Sequence, residues 1–274
     1  MTKDLDFAAA HNFILQTYNY YGSLMQGAPA IDPRSPESRS PGGQLFWVGE
    51  LDEAGRAMTV AGNVAGTASL AATSEVNAQR QAVRDGIVDF LVNSLDEALR
   101  ILKNEIRKGQ TVAVCVAAAF ESVEREMVER GVRPDVFREG ILRTAVRNVA
   151  HEKSRDLESD PMSVRTLVVW RVDRAPALWL PKMDAVALEC LEPQEAIARR
   201  WLQRSSRYLG RIAQAEHLVW SNREFAARMM ERVSAMAERN ELKVPGRVEA
   251  TWSGVCNDQL FFGLADEHGT VHQP

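Results

Sequence analysis

The sequence predicts an α/β fold: a Rossmann-like, mainly parallel sheet over residues 44–140, followed by an additional α-rich α+β region over 141–274. Three observations carry this expectation. TVAVCVA (111–117) is a short continuous apolar run, the pattern of a strand covered on both faces. SLDEALRILKNEIRKG (94–109) and FESVEREMVERG (120–131) are amphipathic and end in glycine, as helices do. Strands and helices alternate, which implies right-handed crossovers and parallel pairing.

In chain order, residues 5–25 read as a helix with Phe7, Ala10, Ile14, Tyr18 and Tyr21 on one stripe. Ala28 to Gly43 holds four prolines, three serines and two glycines, so it reads as a surface loop or linker closing an N-terminal segment 1–43. QLFWVG (44–49) is a buried strand, and AMTVAGNVAGTA (57–68) a helix whose Gly62 and Gly66 allow close approach to a strand. SLAAT (69–73) is a weaker strand, and NAQRQAVRDG (77–86) a short helix stopped at Gly86. Ser94 and Glu97 form a capping box ahead of the buried face Leu95, Ala98, Leu102 and Ile106. RPDVF (133–137) is a short strand and 141–158 a charged helix. SVRTLVVWRV (163–172) and PALWL (176–180) read as strands. From Pro193 to Leu242 the chain reads as mostly helical, with a second capping box at Ser221 and Glu224, before closing strands VEATW (248–252) and QLFFGLA (259–265).

Composition narrows the function classes. A net charge of −4 argues against general electrostatic binding to nucleic acid. No apolar run approaches the roughly 20 residues of a membrane helix, and the N-terminus lacks a signal-peptide pattern. Cys115, Cys190 and Cys256 are widely spaced and read as free thiols in a reducing, cytoplasmic setting. No HExxH is present, and the Asp266–Glu267–His268…His272 tail is interrupted by Gly269, so no metal site is expected.

Two groups of residues invite chemistry. The turn between the first strand and its helix reads GELDEAGRA (49–57), which places Glu50, Asp52 and Glu53 where a dinucleotide fold sets its phosphate, with Arg56 close in sequence. Such acids can hold Mg²⁺ or act as general acid and base; the plainer reading, which the residues favour, is a solvated acidic turn at a helix N-terminus. Arg200, Arg204, Arg207 and Arg211 fall at helical spacing and form one face if the helix continues that far. That face suits an anionic ligand, or pairs with acids of the same chain.

Residues 61–136 resemble the NAD-binding domain of urocanase (urocanate hydratase). The matching features are Ala65–Gly66, Gly86, Asp89, Leu95–Asp96–Glu97–Ala98–Leu99, the strand 111–117, and Glu129–Arg130–Gly131–Val132–Arg133–Pro134–Asp135. The resemblance implies a Rossmann-like domain; the family adds water to urocanate with a tightly bound NAD⁺ as electrophile. Its glycine-rich phosphate run, Gly-Leu-Gly-Gly-Met-Gly-Gly-Ala-Gln, aligns with Glu50 to Met58, where only Gly55 remains. Its ribose-binding acid aligns with Thr73. The expectation is therefore a urocanase-like domain protein with no NAD and no urocanate hydratase activity, serving assembly or ligand sensing and not catalysis, with a homodimer in view. The alternative is an enzyme with a repurposed crevice at the strand carboxyl ends, where Glu50, Asp52, Glu53 and Arg56 act on a small anionic metabolite.

Overall fold

The computed structural model describes residues 2–32, 35–145, 165–209, 215–252 and 255–263. The chain folds as two compact units, Met1–Asn148 with Arg204–Ile212, and Val149–Gln203 with Ala213–Pro274.

In the first unit, α1 (Thr2–Gly27) leads into two short strands, β1 (Ala30–Asp32) and β2 (Ser35–Arg39). Among the described residues they pair antiparallel only with each other, which corrects the expectation of a loop throughout Ala28–Gly43. A two-stranded ribbon leaves each strand one free edge, and a proline tolerates a strand whose N–H faces away from the ladder. Arg39 Nη1 closes the base by donating to the Ala28 carbonyl at 2.8 Å.

The α/β core follows as β3 (Leu45–Glu50), α2 (Glu53–Ala65), β4 (Ala68–Ala72), α3 (Val76–Arg84), β5 (Phe90–Val92), α4 (Leu95–Arg107), β6 (Val112–Val116), α5 (Phe120–Glu129), β7 (Val136–Phe137) and α6, described over 138–145. The five strands are all parallel in the order β5-β6-β4-β3-β7. The Rossmann-like α/β sheet expected from the sequence is thus present. The strand β5 went unread because it is three residues long, with Phe90 and Leu91 exposed.

Side chains alternate across this sheet. One face places Leu45, Trp47, Leu70, Val114 and Val116 against Leu95, Leu99 and Leu102 of α4 and Val123 and Met127 of α5. On the opposite face Phe46, Val48, Ser69, Ala71, Ala113 and Cys115 are also buried, where α2 packs on β3 and β4. Because α1 packs on α2 in turn, α2 is buried at every residue from Ala57 to Ala65. That double burial explains its small residues: a Cβ at Gly62 would lie 2.5 Å from Ser69 Oγ and 2.7 Å from Thr67 Oγ1. The helix runs earlier than the expected 57–68, since Gly66 (φ 99°) is its left-handed C-cap. Ile14, Tyr18 and Tyr21 of the expected α1 stripe are buried.

Several residues that carry the family resemblance hold this frame together. The Asp89 carboxylate accepts from the Ala113 N–H at 2.8 Å and Asp135 from the Leu45 N–H at 2.8 Å, each fixing a strand register. Arg130 bridges Asp96 of α4 to Glu126 of α5. Ser94 Oγ accepts from the Glu97 N–H at 3.3 Å; Glu97 reaches back one residue beyond the cap, to the Asn93 N–H at 3.0 Å.

The second unit contains β8 (Arg165–Val172), α7 (Pro176–Cys190), the first part of α8 (Ala196–Leu209), β9 (Glu216–Asn222), α9 (Arg223–Glu238), β10 (Gly246–Trp252) and β11 (Val255–Phe262). Its antiparallel sheet has the order β11-β10-β8-β9, with α7 and α9 packed on it. Three expectations are corrected here. PALWL is the start of a helix: Pro176 occupies the first turn, where its missing N–H is not needed, and Trp179, Leu180, Met183, Ala187 and Cys190 are buried at helical spacing. EHLVWSN, inside the stretch expected to be mostly helical, is a strand pairing with β8; polar Glu216 and His217, both buried, mask its apolar pattern. The cap of α9 is Asn222, whose Oδ1 accepts from the Phe225 N–H at 2.8 Å, while Ser221 donates to Glu195.

Much of helix 141–158, His151, Arg211 and the 266–272 tail lie outside the described residues.

Candidate functional site

The turn from β3 into α2 lies at the carboxyl end of the parallel sheet, where an α/β fold presents its helix N-terminus. Gly49 (φ 78°) marks a register shift against β4. Leu51 is buried and its N–H donates to the Ala72 carbonyl at 3.0 Å, so the turn is fastened to the neighbouring strand. Asp52 is the N-cap of α2, its Oδ1 accepting from the Gly55 N–H at 2.7 Å.

Arg138 reaches this cap from the start of α6. Its Nη2 donates to Asp52 Oδ2 at 2.8 Å and Oδ1 at 3.1 Å, and its Nη1 donates to the Glu50 carbonyl at 2.9 Å. Burial pushes the Asp52 carboxyl upward, but the Arg138 guanidinium and the Gly55 N–H outweigh it, so its pKa falls below the ordinary carboxylate range. Tyr20 of α1 is buried nearby and accepts from Gln16 Nε2 at 3.0 Å; burial holds its phenol above the usual range, and it stays neutral.

The remaining acids of the turn do not converge. Glu53 is exposed, and Arg56 turns away to pair with Asp85 at 2.6 Å. The structure therefore joins Asp52 to the Glu50 backbone through Arg138 and pairs Arg56 elsewhere. Arg138 was missed in the sequence because it lies 86 residues from Asp52; only the β3–β7 pairing brings it back. Beside the turn, an open cleft of about 590 Å³ is lined by Asn12, Gln16 and Asn19 of α1 with Asp52, Glu53 and Ala54.

The fit of a dinucleotide can be judged from these contacts. A pyrophosphate at this turn needs free helix N–H groups and glycine at the points of close approach. Here the Gly55 N–H is engaged by a carboxylate, and Asp52 and Glu53 stand at two of the aligned glycine positions. Gly55 itself faces the turn backbone: a Cβ there would fall inside contact distance of the Glu50 carbonyl oxygen. At this turn the helix N–H is thus engaged within the chain.

Residues 33–145 match the urocanase Rossmann-like domain. The match covers under half of the 274-residue chain. Within this urocanase-like domain, the framework residues described above coincide with the matched segment, and so does the Asp52–Arg138 pair.

Arg204 donates to Thr111 Oγ1 at 3.1 Å and more weakly to the Asn63 carbonyl, Arg207 lies over its neighbour Tyr208, and Arg200 is half-buried. Burial pushes the Cys115 thiol up to about 12, and Cys190 is likewise raised, so neither is a nucleophile at neutral pH. Among the described residues no group of three metal-ligating side chains occurs, and no helix is long and apolar enough to cross a membrane.

A pH measurement checks the Asp52 pairing. In the unfolded chain its carboxyl titrates near ~3.9, whereas folding lowers its pKa. The stabilisation is then complete well above that value and is lost as pH falls through the lower folded-state pKa. Since Asp52 is half-exposed, it is worth only about 0.5–1 kcal/mol after solvent screening. In urea titrations wild type should exceed Asp52→Asn by that margin at pH 7, and the gap should close toward pH 3. A gap that widens on acidification would show the pairing assigned wrongly.

Proposed function

We propose that this chain is a urocanase-like domain protein that neither holds NAD nor hydrates urocanate, and that its role is assembly or ligand sensing, not catalysis. The observation that carries this reading is the Asp52 cap of α2, clasped by Arg138 at the turn where the family places its phosphate-binding run. An anionic pyrophosphate brought there would meet a carboxylate already holding the helix N–H and the guanidinium. The open cleft beside it, bordered by Asn12, Gln16 and Asn19 of α1, is the place from which the sensing form of the role draws its support. The catalytic alternative draws less support, because Asp52 is held by Arg138 and Arg56 is paired with Asp85.

The test is direct. Protein purified without added nucleotide should release no NAD on denaturation, by mass spectrometry or by absorbance near 260 nm. It should show no NAD⁺ binding in calorimetry and leave urocanate absorbance unchanged. Stoichiometric bound NAD, or turnover of urocanate, would overturn the reading.

A further inference from the structure

We propose that copies of this chain associate head to tail, the apolar, basic surface at the β5 edge of one meeting the apolar, acidic surface at the β7 edge of the next. This rests on the assembly form of the role proposed above and names the two surfaces that carry it.

At the β5 edge, α3 buries only Gln79 and Ala82. Val76 and Val83, seven residues apart and so on one flank of the helix, are 52% and 47% exposed. Valine weakens a solvated helix slightly and regains the loss only by packing. Phe90 and Leu91 of β5, the edge strand that α3 leads into, are exposed as well. Arg80 and Arg84 follow Val76 at one-turn and two-turn spacing, are exposed, and enter no ion pair among the described residues.

At the β7 edge, Val128 of α5 is 74% exposed, and Phe137 of β7 is exposed too. The two border one surface. Phe137 is the cross-strand partner of Trp47, whose Nε1 donates to Glu124 Oε1 at 3.2 Å, and Glu124 stands one turn from Val128. The exposed charges about Val128 are Glu121, Glu124 and Glu129 against Arg125, while Arg130 is neutralised by Asp96 and Glu126. This surface is therefore net acidic.

Among the described residues, these six side chains are all but two of the large hydrophobic ones left exposed. β5 and β7 are opposite edges of one five-stranded sheet, four spacings of about 4.8 Å apart, so their surfaces cannot meet within a single chain. A two-fold contact would set Arg80 and Arg84 against their own copies, or the glutamates against theirs. Pairing the unlike surfaces of successive copies instead joins opposite charges around an apolar centre. Such a contact is heterologous, so each added copy presents a fresh surface, and association runs past the dimer unless it closes into a ring. The surfaces are small, which makes the association a weak, micromolar one.

Sedimentation velocity of the full chain, from micromolar to submillimolar concentration, should show a mass that rises through and beyond the dimer. Arg80→Glu/Arg84→Glu makes the β5-edge surface acidic, and Glu121→Arg/Glu129→Arg makes the β7-edge surface basic. Each double variant should self-associate at least about tenfold more weakly than wild type. Mixed in equal amounts, the two offer one native and one charge-reversed contact, both complementary, and should assemble again. Val83→Ser and Phe137→Ser remove exposed apolar surface without changing charge and should also weaken assembly, which keeps a readout if a charge variant fails to fold. A wild type that stays monomeric throughout would overturn the proposal. So would a dimer untouched by the Glu121/Glu129 exchange, or folded charge variants that stay apart on mixing. NAD bound to a self-associating wild type would instead sink the proposed function and leave this contact standing.

Discussion

Asp184→Ala should destabilise the second unit by about 3–5 kcal/mol in urea unfolding. Asp184 is buried on α7 and accepts from Trp170 Nε1 at 2.9 Å, while His217 Nδ1 lies 2.8 Å from both carboxylate oxygens. Trp170 and His217 are direct cross-strand partners on β8 and β9 and are themselves buried. Truncating the acid leaves two polar groups inside the protein with no acceptor, and each such loss costs about 1–3 kcal/mol. The cavity left behind adds to this. Asp184→Asn keeps one acceptor oxygen and should lose about half as much. If Asp184→Ala unfolds within about 1 kcal/mol of wild type, the cluster is not what joins α7 to its sheet.

Gly55→Ala should cost about 2–3 kcal/mol, because the added methyl meets the backbone carbonyl of Glu50, which has no rotamer by which to yield. Gly62→Ala provides the comparison. Its methyl meets the hydroxyls of Ser69 and Thr67, which can rotate, so the loss should be nearer about 1 kcal/mol. Thermal melts of the two variants decide the matter. A Gly55→Ala protein as stable as Gly62→Ala would mean that the turn is looser than its geometry implies. The same pair of variants bears on why Gly55 stands alone among the glycines of the aligned phosphate run. Its place is required by the backbone of the turn, whether or not a phosphate ever approaches.

The sequence resolved the parallel core well because that core is built from local signals. Continuous apolar strands, an amphipathic α4 with a Ser94 cap, and glycine after each helix all act within a few residues. It resolved the second unit less well. There, buried Glu216 is paired with Arg171, and buried His217 with Asp184, across strand and helix boundaries. Paired polar residues of this kind look like surface until their partners are known. PALWL similarly reads as a strand when cut at five residues, and as a helix once Met183, Ala187 and Cys190 extend its period.

The candidate site divides along the same line. By itself the sequence determined that the β3–α2 turn is acidic and nearly stripped of glycine, and that its frame resembles a urocanase domain. Covalent neighbours suffice for that, since charge and missing glycines are properties of the turn alone. Only the tertiary structure decided which acid is paired. Parallel pairing of β7 with β3 returns Arg138 to Asp52, while the same folding sends Arg56 to Asp85. An ion pair is set by distance in space, and 86 residues of intervening chain carry no sequence-local trace of it.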